Sequence, residues 1–199
     1  MQHIAHLHKD KRLKKIMAVQ PIYTINTKKQ VYLQLCASII SQQLNTKVAA
    51  VIYNRFLQLF ATQSPSLQQI LNTPFDALRA IGLSNAKANY VKNVCTFFIQ
   101  EKITDKKLQA MDDAAIIQYL TQIKGVGQWT VEMILMFTLG REDVFAADDL
   151  VIQQTMATLY QLNSNDKKAF KQQILQIANA WSPYKTYACK YLWGYKDAQ

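Results

Sequence analysis

The sequence predicts an all-α protein, and three observations support this fold class. Glycine and proline, which interrupt helices, contribute only 5 and 4 of the 199 residues. Apolar residues recur at spacings of three and four, the period of a helix with one buried face. No stretch joins strict apolar and polar alternation to an Asn-Gly or Asp-Gly turn, as paired strands would. At 199 residues the chain is long enough to bury a core, and we expect one domain or two closely packed helical subdomains with a central cleft.

Ten helices follow from this period, in chain order. The predicted ranges are 28–41, 44–61, 67–71, 75–81, 85–101, 112–122, 128–140, 149–161, 166–180 and 184–195. Capping and turn residues separate them, among them Ser64-Pro65-Ser66, Thr73-Pro74, Gly82, Gly140, Asp166 and Ser182-Pro183. Residues 1–20 are predicted to be either a loosely attached basic helix or a partly disordered tail.

The charge balance favours a polyanionic partner. Lysine and arginine number 23 against 13 acidic residues, which gives a net charge of +10. Nucleic acid is the leading candidate, while a membrane surface or an acidic protein stays open. No apolar run reaches the roughly 18 to 20 residues of a membrane span, and the basic N-terminus lacks the features of a secretory signal. We therefore expect a cytoplasmic, nucleoid-associated or nuclear protein that is not secreted.

Three cysteines lie far apart, at Cys36, Cys95 and Cys189. An odd number without a C-x-x-C pair argues against a disulfide framework, a zinc site or a four-cysteine iron-sulfur cluster. We expect buried structural thiols.

The most informative segment is Gly125-Val126-Gly127, between the predicted helices 112–122 and 128–140. This pattern indicates a helix-hairpin-helix, in which glycines allow close approach and the amides at the start of the second helix face a phosphate. Taken alone, the segment could equally be an ordinary tight turn. Twenty-two residues after Gly127 stands Asp149, the second residue of an Asp148-Asp149 pair before a new helix.

Four sequence blocks stand in order between residues 38 and 193. They are Ser41-Gln42-Gln43-Leu44, Ala80-Ile81-Gly82-Leu83 with Ala86-Lys87-Ala88, Ile123 to Thr130 with Asp143 to Asp149, and Trp181 to Ala188 with Trp193. In these blocks the sequence resembles the helix-hairpin-helix-GPD superfamily of DNA glycosylases, and within it the DNA-3-methyladenine glycosylase II family in a compact all-helical form. It implies one domain over 1–199, divided into a basic segment (1–27), a helical subdomain (28–110) and a subdomain with the hairpin and catalytic residue (111–199).

The resemblance makes Asp149 the catalytic carboxylate. Breaking an N-glycosidic bond builds positive charge on the sugar, which a fixed negative charge stabilises. From spacing alone, both aspartates could simply cap the helix that starts near Leu150. With the resemblance, we assign catalysis to Asp149 and capping to Asp148.

The resemblance also assigns a base pocket to Trp129, Met133 and Trp193. Relatives that cut the DNA backbone place a nucleophilic lysine two residues after the second hairpin glycine, where this chain has Trp129. We therefore expect base release by water. A cationic methylated purine is a good leaving group and stacks well on indole rings. Trp181 and Tyr184 could equally be core residues.

Further DNA contacts are implied at two places. The segment Gln42, Gln43, Leu44 and Asn45, here called the plug loop, would enter the minor groove, with Gln43 filling the space of the flipped base. From the residues alone, it could be a solvated turn. The implied phosphate contacts are Lys124, Gly125, Gly127 and Thr130. The main-chain carbonyls of Thr121, Ile123 and Val126 would bind a monovalent cation, Na⁺ or K⁺, and no cofactor is required.

The sequence thus predicts a monofunctional glycosylase that removes alkylated purines from double-stranded DNA and acts as a monomer. Two alternatives stay open: an endonuclease III-like enzyme with another lesion, and a non-catalytic module that only grips the DNA backbone.

Overall fold

The computed structural model describes residues 1–197 and confirms the all-α class, with thirteen α-helices and no strand in that range. The helices are α1 (Gln2–Leu7), α2 (Lys11–Met17), α3 (Val31–Ser41), α4 (Thr46–Gln58), α5 (Leu67–Asn72), α6 (Phe75–Ala80), α7 (Asn85–Gln100), α8 (Asp105–Gln109), α9 (Asp113–Leu120), α10 (Gln128–Phe137), α11 (Leu150–Tyr160), α12 (Lys167–Asn179) and α13 (Lys185–Asp197). Within the same residues, no helix is long and apolar enough to cross a bilayer.

The chain forms two compact units. The middle unit is Lys28–Ile134, and the terminal unit combines Met1–Thr27 with the described part of Leu135–Gln199. The inner boundary therefore differs from the one expected at residue 110. Tyr119 of α9 explains the difference, because its ring lies 5.4 Å from that of Phe97 and its hydroxyl donates to Glu101 at 3.1 Å. These contacts tie α9 to α7.

In the middle unit, α7 is the central helix and packs against α3, α5 and α6. Its buried face includes Val91, Val94 and Cys95, which are fully shielded from solvent. The start of α3 depends on a distant residue: the Asp105 carboxylate accepts hydrogen bonds from the backbone N–H groups of Gln30 (2.6 Å) and Val31 (3.0 Å). For this reason α3 begins at Val31, three residues later than its sequence pattern predicts.

The terminal unit shows that residues 1–17 are docked, so the expectation of a loose or disordered tail is wrong. Leu7 and Leu13 are fully buried. The carboxylate of Asp10 caps α2 and also accepts hydrogen bonds from Tyr160 Oη at 2.6 Å and Trp181 Nε1 at 3.1 Å. A carboxylate satisfied by several donors is a strong anchor, and composition alone could not reveal its partners 150 residues away.

The prediction of buried structural thiols is confirmed. All three cysteines are buried, and none of them forms a disulfide. Trp181 is 1% exposed and belongs to the core of the terminal unit.

Candidate functional site

Asp149 stands at the start of α11. Its backbone is extended (φ −72°, ψ 123°), and its Oδ1 atom accepts a hydrogen bond from the backbone N–H of Ile152 at 2.9 Å. It is therefore the N-cap of α11, which satisfies one of the amides left without a partner in the first helical turn. Only 8% of Asp149 is exposed. The local backbone thus fixes this carboxylate in one orientation.

Trp193 supplies a second donor to the same carboxylate oxygen. Its Nε1 atom lies 3.0 Å from Asp149 Oδ1, and its ring packs against Phe137 with the centroids 5.7 Å apart. Trp193 sits on α13, so two helices of the terminal unit hold Asp149. The resemblance assigned Trp193 to a base pocket, and the structure shows its direct hydrogen bond to the carboxylate.

The capping role assigned to Asp148 is wrong. Asp148 is exposed and pairs with Lys171, with Nζ and Oδ1 2.6 Å apart, whereas the cap of α11 is Asp149. The physical reason is which backbone amide each side chain can contact. The side chain of the residue directly before the first helical residue meets the third amide of the helix, here that of Ile152. An exposed ion pair such as Asp148–Lys171 adds about 1 kcal/mol at most.

The hairpin has the predicted form. Residues 121–127, the hairpin turn, connect α9 to α10, and the Val126 N–H donates to the Ile123 carbonyl at 2.9 Å. Gly125 has φ +105°, and a side chain there would overlap the ring of Tyr90. Gly127 is different, because a Cβ atom built on it would meet open space. The turn therefore presents a bare backbone to solvent at Gly127.

The other implied phosphate contacts differ in accessibility. Lys124 is exposed at the tip of the hairpin turn. Thr130 is only 3% exposed, so its hydroxyl is not open to a phosphate. The structure therefore offers Lys124, Gly125 and Gly127 as the accessible part of this set.

The plug loop connects α3 to α4. Gln43 has φ +58°, a left-handed conformation that residues other than glycine and asparagine rarely adopt, and it is exposed. Leu44 is 36% exposed. Asn45 caps α4 by accepting a hydrogen bond from the Val48 N–H at 2.9 Å. Gln42 donates through Nε2 to the Gly125 carbonyl at 3.3 Å.

The plug loop and Trp129, which the resemblance assigned to a base pocket, line the same hollow. Trp129, the second residue of α10, is 41% exposed and borders this hollow in the middle unit. Met133 follows it one helical turn later and is half-buried. The other residues lining the hollow are Ser38, Ser41, Gln42, Gln43 and Leu44. Trp129 and the plug loop are therefore neighbours, although they were predicted separately from the sequence.

Three residues of α7 contact the plug loop or the hairpin turn and were given no role from the sequence. They are Lys87, Tyr90 and Asn93. Lys87 Nζ donates to the carbonyls of Ile40 (2.9 Å) and Gln42 (2.6 Å), and Asn93 Nδ2 donates to that of Lys124 (3.1 Å). Lys87 lies within one of the sequence blocks that carry the resemblance, but a helical lysine gives no local sign of its target.

The hairpin turn also bears the carbonyls expected to bind a cation. The Ile123 carbonyl accepts the Val126 N–H, and a carbonyl oxygen has a second lone pair for another partner. Thr121 and Val126 stand in the same short turn. Neutral oxygen ligands of this kind suit a monovalent cation, so the residues fit such a group.

Comparisons with known proteins agree on one family. Residues 36–180 match the family described as HhH-GPD superfamily base excision DNA repair protein. The chain is 36% identical over 168 residues to DNA-3-methyladenine glycosylase 1 of Schizosaccharomyces pombe, covering 83% of this chain and 72% of that protein.

Solved structures give the same result. The structure of the 3-methyladenine DNA glycosylase of Schizosaccharomyces pombe in complex with abasic DNA superimposes with a TM-score of 0.83 at 32% identity, covering 97% of this chain and 95% of that one. The DNA-3-methyladenine glycosidase of Bacillus halodurans gives a TM-score of 0.82 at 34% identity, covering 95% and 86%.

Proposed function

The chain belongs to the helix-hairpin-helix-GPD superfamily of base excision DNA repair proteins, and from this premise we propose that it is a monofunctional DNA glycosylase for alkylated purines. It hydrolyses the N-glycosidic bond of a flipped base such as 3-methyladenine or 7-methylguanine and leaves an abasic site. The observation that carries the proposal is the carboxylate of Asp149, which is 8% exposed and held by two donors.

Asp149 acts as a fixed negative charge beside the deoxyribose. As the base departs, positive charge develops on the sugar, and a charge that needs no reorientation stabilises this transition state best. The Ile152 and Trp193 N–H groups both bind Oδ1, so they limit rotation of the carboxylate. Asp149 also orients or deprotonates the attacking water.

Water is the nucleophile in this proposal. A Schiff-base mechanism needs an amine beside the sugar, and the position that would carry it holds Trp129. The indole of Trp129 instead stacks on the flipped base, with Met133 one helical turn away. A cationic methylpurine benefits doubly, since it stacks and is attracted to the electron-rich ring face.

Double-stranded DNA is held through its backbone. The glycines of the hairpin turn let a phosphate approach the amides, and Lys124 adds a charge. The carbonyls of Thr121, Ile123 and Val126 would hold Na⁺ or K⁺, which adds positive potential beneath that phosphate. Gln43 fills the space of the flipped base. We propose that the protein works as a monomer where DNA is kept, in the nucleoid or nucleus.

The direct test is base release. Duplex DNA carrying methylated purines is incubated with the protein and free bases are measured by chromatography, and we expect release with the strand left intact. Asp149→Asn should abolish release while retaining DNA binding. Strand scission with borohydride trapping would favour the endonuclease III-like alternative. If the wild-type protein releases no base from any substrate and Asp149→Asn binds DNA more tightly than wild type, the non-catalytic module is favoured instead.

A further inference from the structure

We propose that one face of α7 positions the plug loop relative to the hairpin turn, with Lys87 as the positioning residue of the plug loop. The inference rests on the proposed function, because it assigns Lys87 a part in base flipping. Lys87, Tyr90 and Asn93 are spaced three residues apart, so their side chains leave α7 on one broad face. All their partners belong to the middle unit.

Lys87 fixes the point where α3 becomes the plug loop. Its ammonium group donates to the carbonyls of Ile40 and Gln42, at 2.9 and 2.6 Å. Carbonyls at a helix C-terminus lack intrahelical partners and carry partial negative charge, so a cation there is well placed. Burial lowers the pKa of Lys87, in line with an ammonium that has exchanged water for these two carbonyls.

The next residue of the loop depends on this anchor. Gln43 has φ +58°, and such a conformation persists only where the surroundings hold it in place. Lys87 binds the carbonyl that immediately precedes Gln43. Without that bond, the loop is free to leave the conformation that projects the Gln43 side chain outward.

The same face of α7 holds the hairpin turn. The ring of Tyr90 occupies the space that a side chain on residue 125 would need, and Asn93 donates to the Lys124 carbonyl at 3.1 Å. Gln42 completes the connection through its bond to the Gly125 carbonyl. Gln42 is thereby assigned to a strap between the two segments, which leaves Gln43 as the plug.

A matched pair of lysine variants tests this assignment. Lys87→Met removes the ammonium and keeps the side-chain stem. Lys92→Met makes the same change on the same helix, where Lys92 donates to the Leu71 and Thr73 carbonyls at the end of α5 (2.9 and 2.7 Å). Each variant loses the charge-assisted hydrogen bonds of its ammonium group to two carbonyls at the end of a helix. Of the two lysines, only Lys87 binds the plug loop.

Three measurements separate base flipping from binding to the DNA backbone. Fluorescence of 2-aminopurine next to an abasic site reports loop insertion, single-turnover base release reports catalysis, and anisotropy with undamaged duplex reports backbone binding. We expect Lys87→Met to lose most of the fluorescence change and to slow release about tenfold or more, as for loss of one charged hydrogen bond. Undamaged duplex should bind within about threefold of wild type, since the hairpin turn is intact. Lys87→Arg should restore both signals.

Equal fluorescence and release rates for Lys87→Met and Lys92→Met would overturn the inference. If Lys87→Met does not fold, Lys87→Gln replaces it, because the neutral amide removes the ammonium group and keeps a polar end. Fluorescence and release rates equal to those of wild type in Lys87→Gln would then overturn it. If the wild-type protein releases no base, the proposed function fails, and the fluorescence comparison still decides the role of Lys87.

Discussion

The indole N–H of Trp193 donates a hydrogen bond to Asp149 Oδ1 at 3.0 Å, and the backbone N–H of Ile152 donates to the same atom at 2.9 Å. Two helices, α11 and α13, therefore fix one carboxylate. If this restraint contributes to catalysis, removing a single donor should slow the reaction without unfolding the protein.

Trp193→Phe tests the side-chain donor. The variant keeps an aromatic ring for stacking but loses the N–H group. We expect single-turnover base release to slow about tenfold, because a hydrogen bond to a charged group is worth roughly 1.5 to 3 kcal/mol. Because Asp149→Asn should release no base, the double variant is compared by DNA binding. Trp193→Phe should not weaken the affinity of Asp149→Asn for duplex carrying a methylated purine if Trp193 acts through the carboxylate. A clear loss of affinity in that background would instead show direct contact with the base.

The capping role of Asp149 can be separated from its chemistry. Asparagine keeps an oxygen acceptor for the Ile152 N–H, so Asp149→Asn should unfold at nearly the wild-type denaturant concentration. Asp149→Ala should lower the free energy of unfolding by about 1 kcal/mol, the usual effect of losing an N-cap. Both variants should be inactive. Asp148→Asn is the control, and we expect it to leave stability and activity almost unchanged.

The two hairpin glycines should respond differently to alanine. Gly125→Ala combines a positive φ with overlap against Tyr90, so we expect a loss of at least about 2 kcal/mol in chemical denaturation. Gly127→Ala meets open space and should fold normally, yet bind duplex DNA more weakly because the methyl group keeps the phosphate away. Normal DNA affinity for Gly127→Ala would argue against phosphate contact at this turn.

The lowered pKa of Asp10 predicts that the folded protein loses stability in acid. Burial alone raises the pKa of Asp10, but hydrogen bonds from the Tyr160 hydroxyl, the Leu13 amide and the Trp181 indole outweigh it, so the pKa lies below its ordinary value. The ionised carboxylate therefore stabilises the fold above about pH 4 and loses this effect as pH falls through the lowered pKa. Asp10→Asn should cost about 1 to 3 kcal/mol near neutral pH. Denaturation at several pH values should show the gap to wild type closing below pH 4.

Features that depend on local sequence were predicted, whereas features that depend on contacts between distant residues were missed. Helix periodicity placed α7 at its observed start, and Gly125-Val126-Gly127 marked the hairpin turn, because both depend on neighbours in sequence. Capping of α3 by Asp105 was missed, since no local pattern reports a carboxylate 74 residues away.

The candidate site shows the same limit. Spacing and resemblance identified Asp149 as a residue of interest, but they could not show that Trp193 donates to it or that Lys87 binds the plug loop. Such contacts exist only once helices far apart in sequence have packed. The misassigned cap had another cause, because two adjacent aspartates offered the same residue type and only backbone geometry distinguishes them.

The docking of α1 and α2 sets an order for folding during synthesis. These helices are translated before the partners of Asp10, since Tyr160 follows it by 150 residues and Trp181 by 171. The contiguous segment 28–134 lies between them and forms a compact unit, so it can collapse while α1 and α2 still lack these partners. We therefore expect nascent chains stalled before residue 181 to carry a folded middle and an N-terminus that proteases cleave readily.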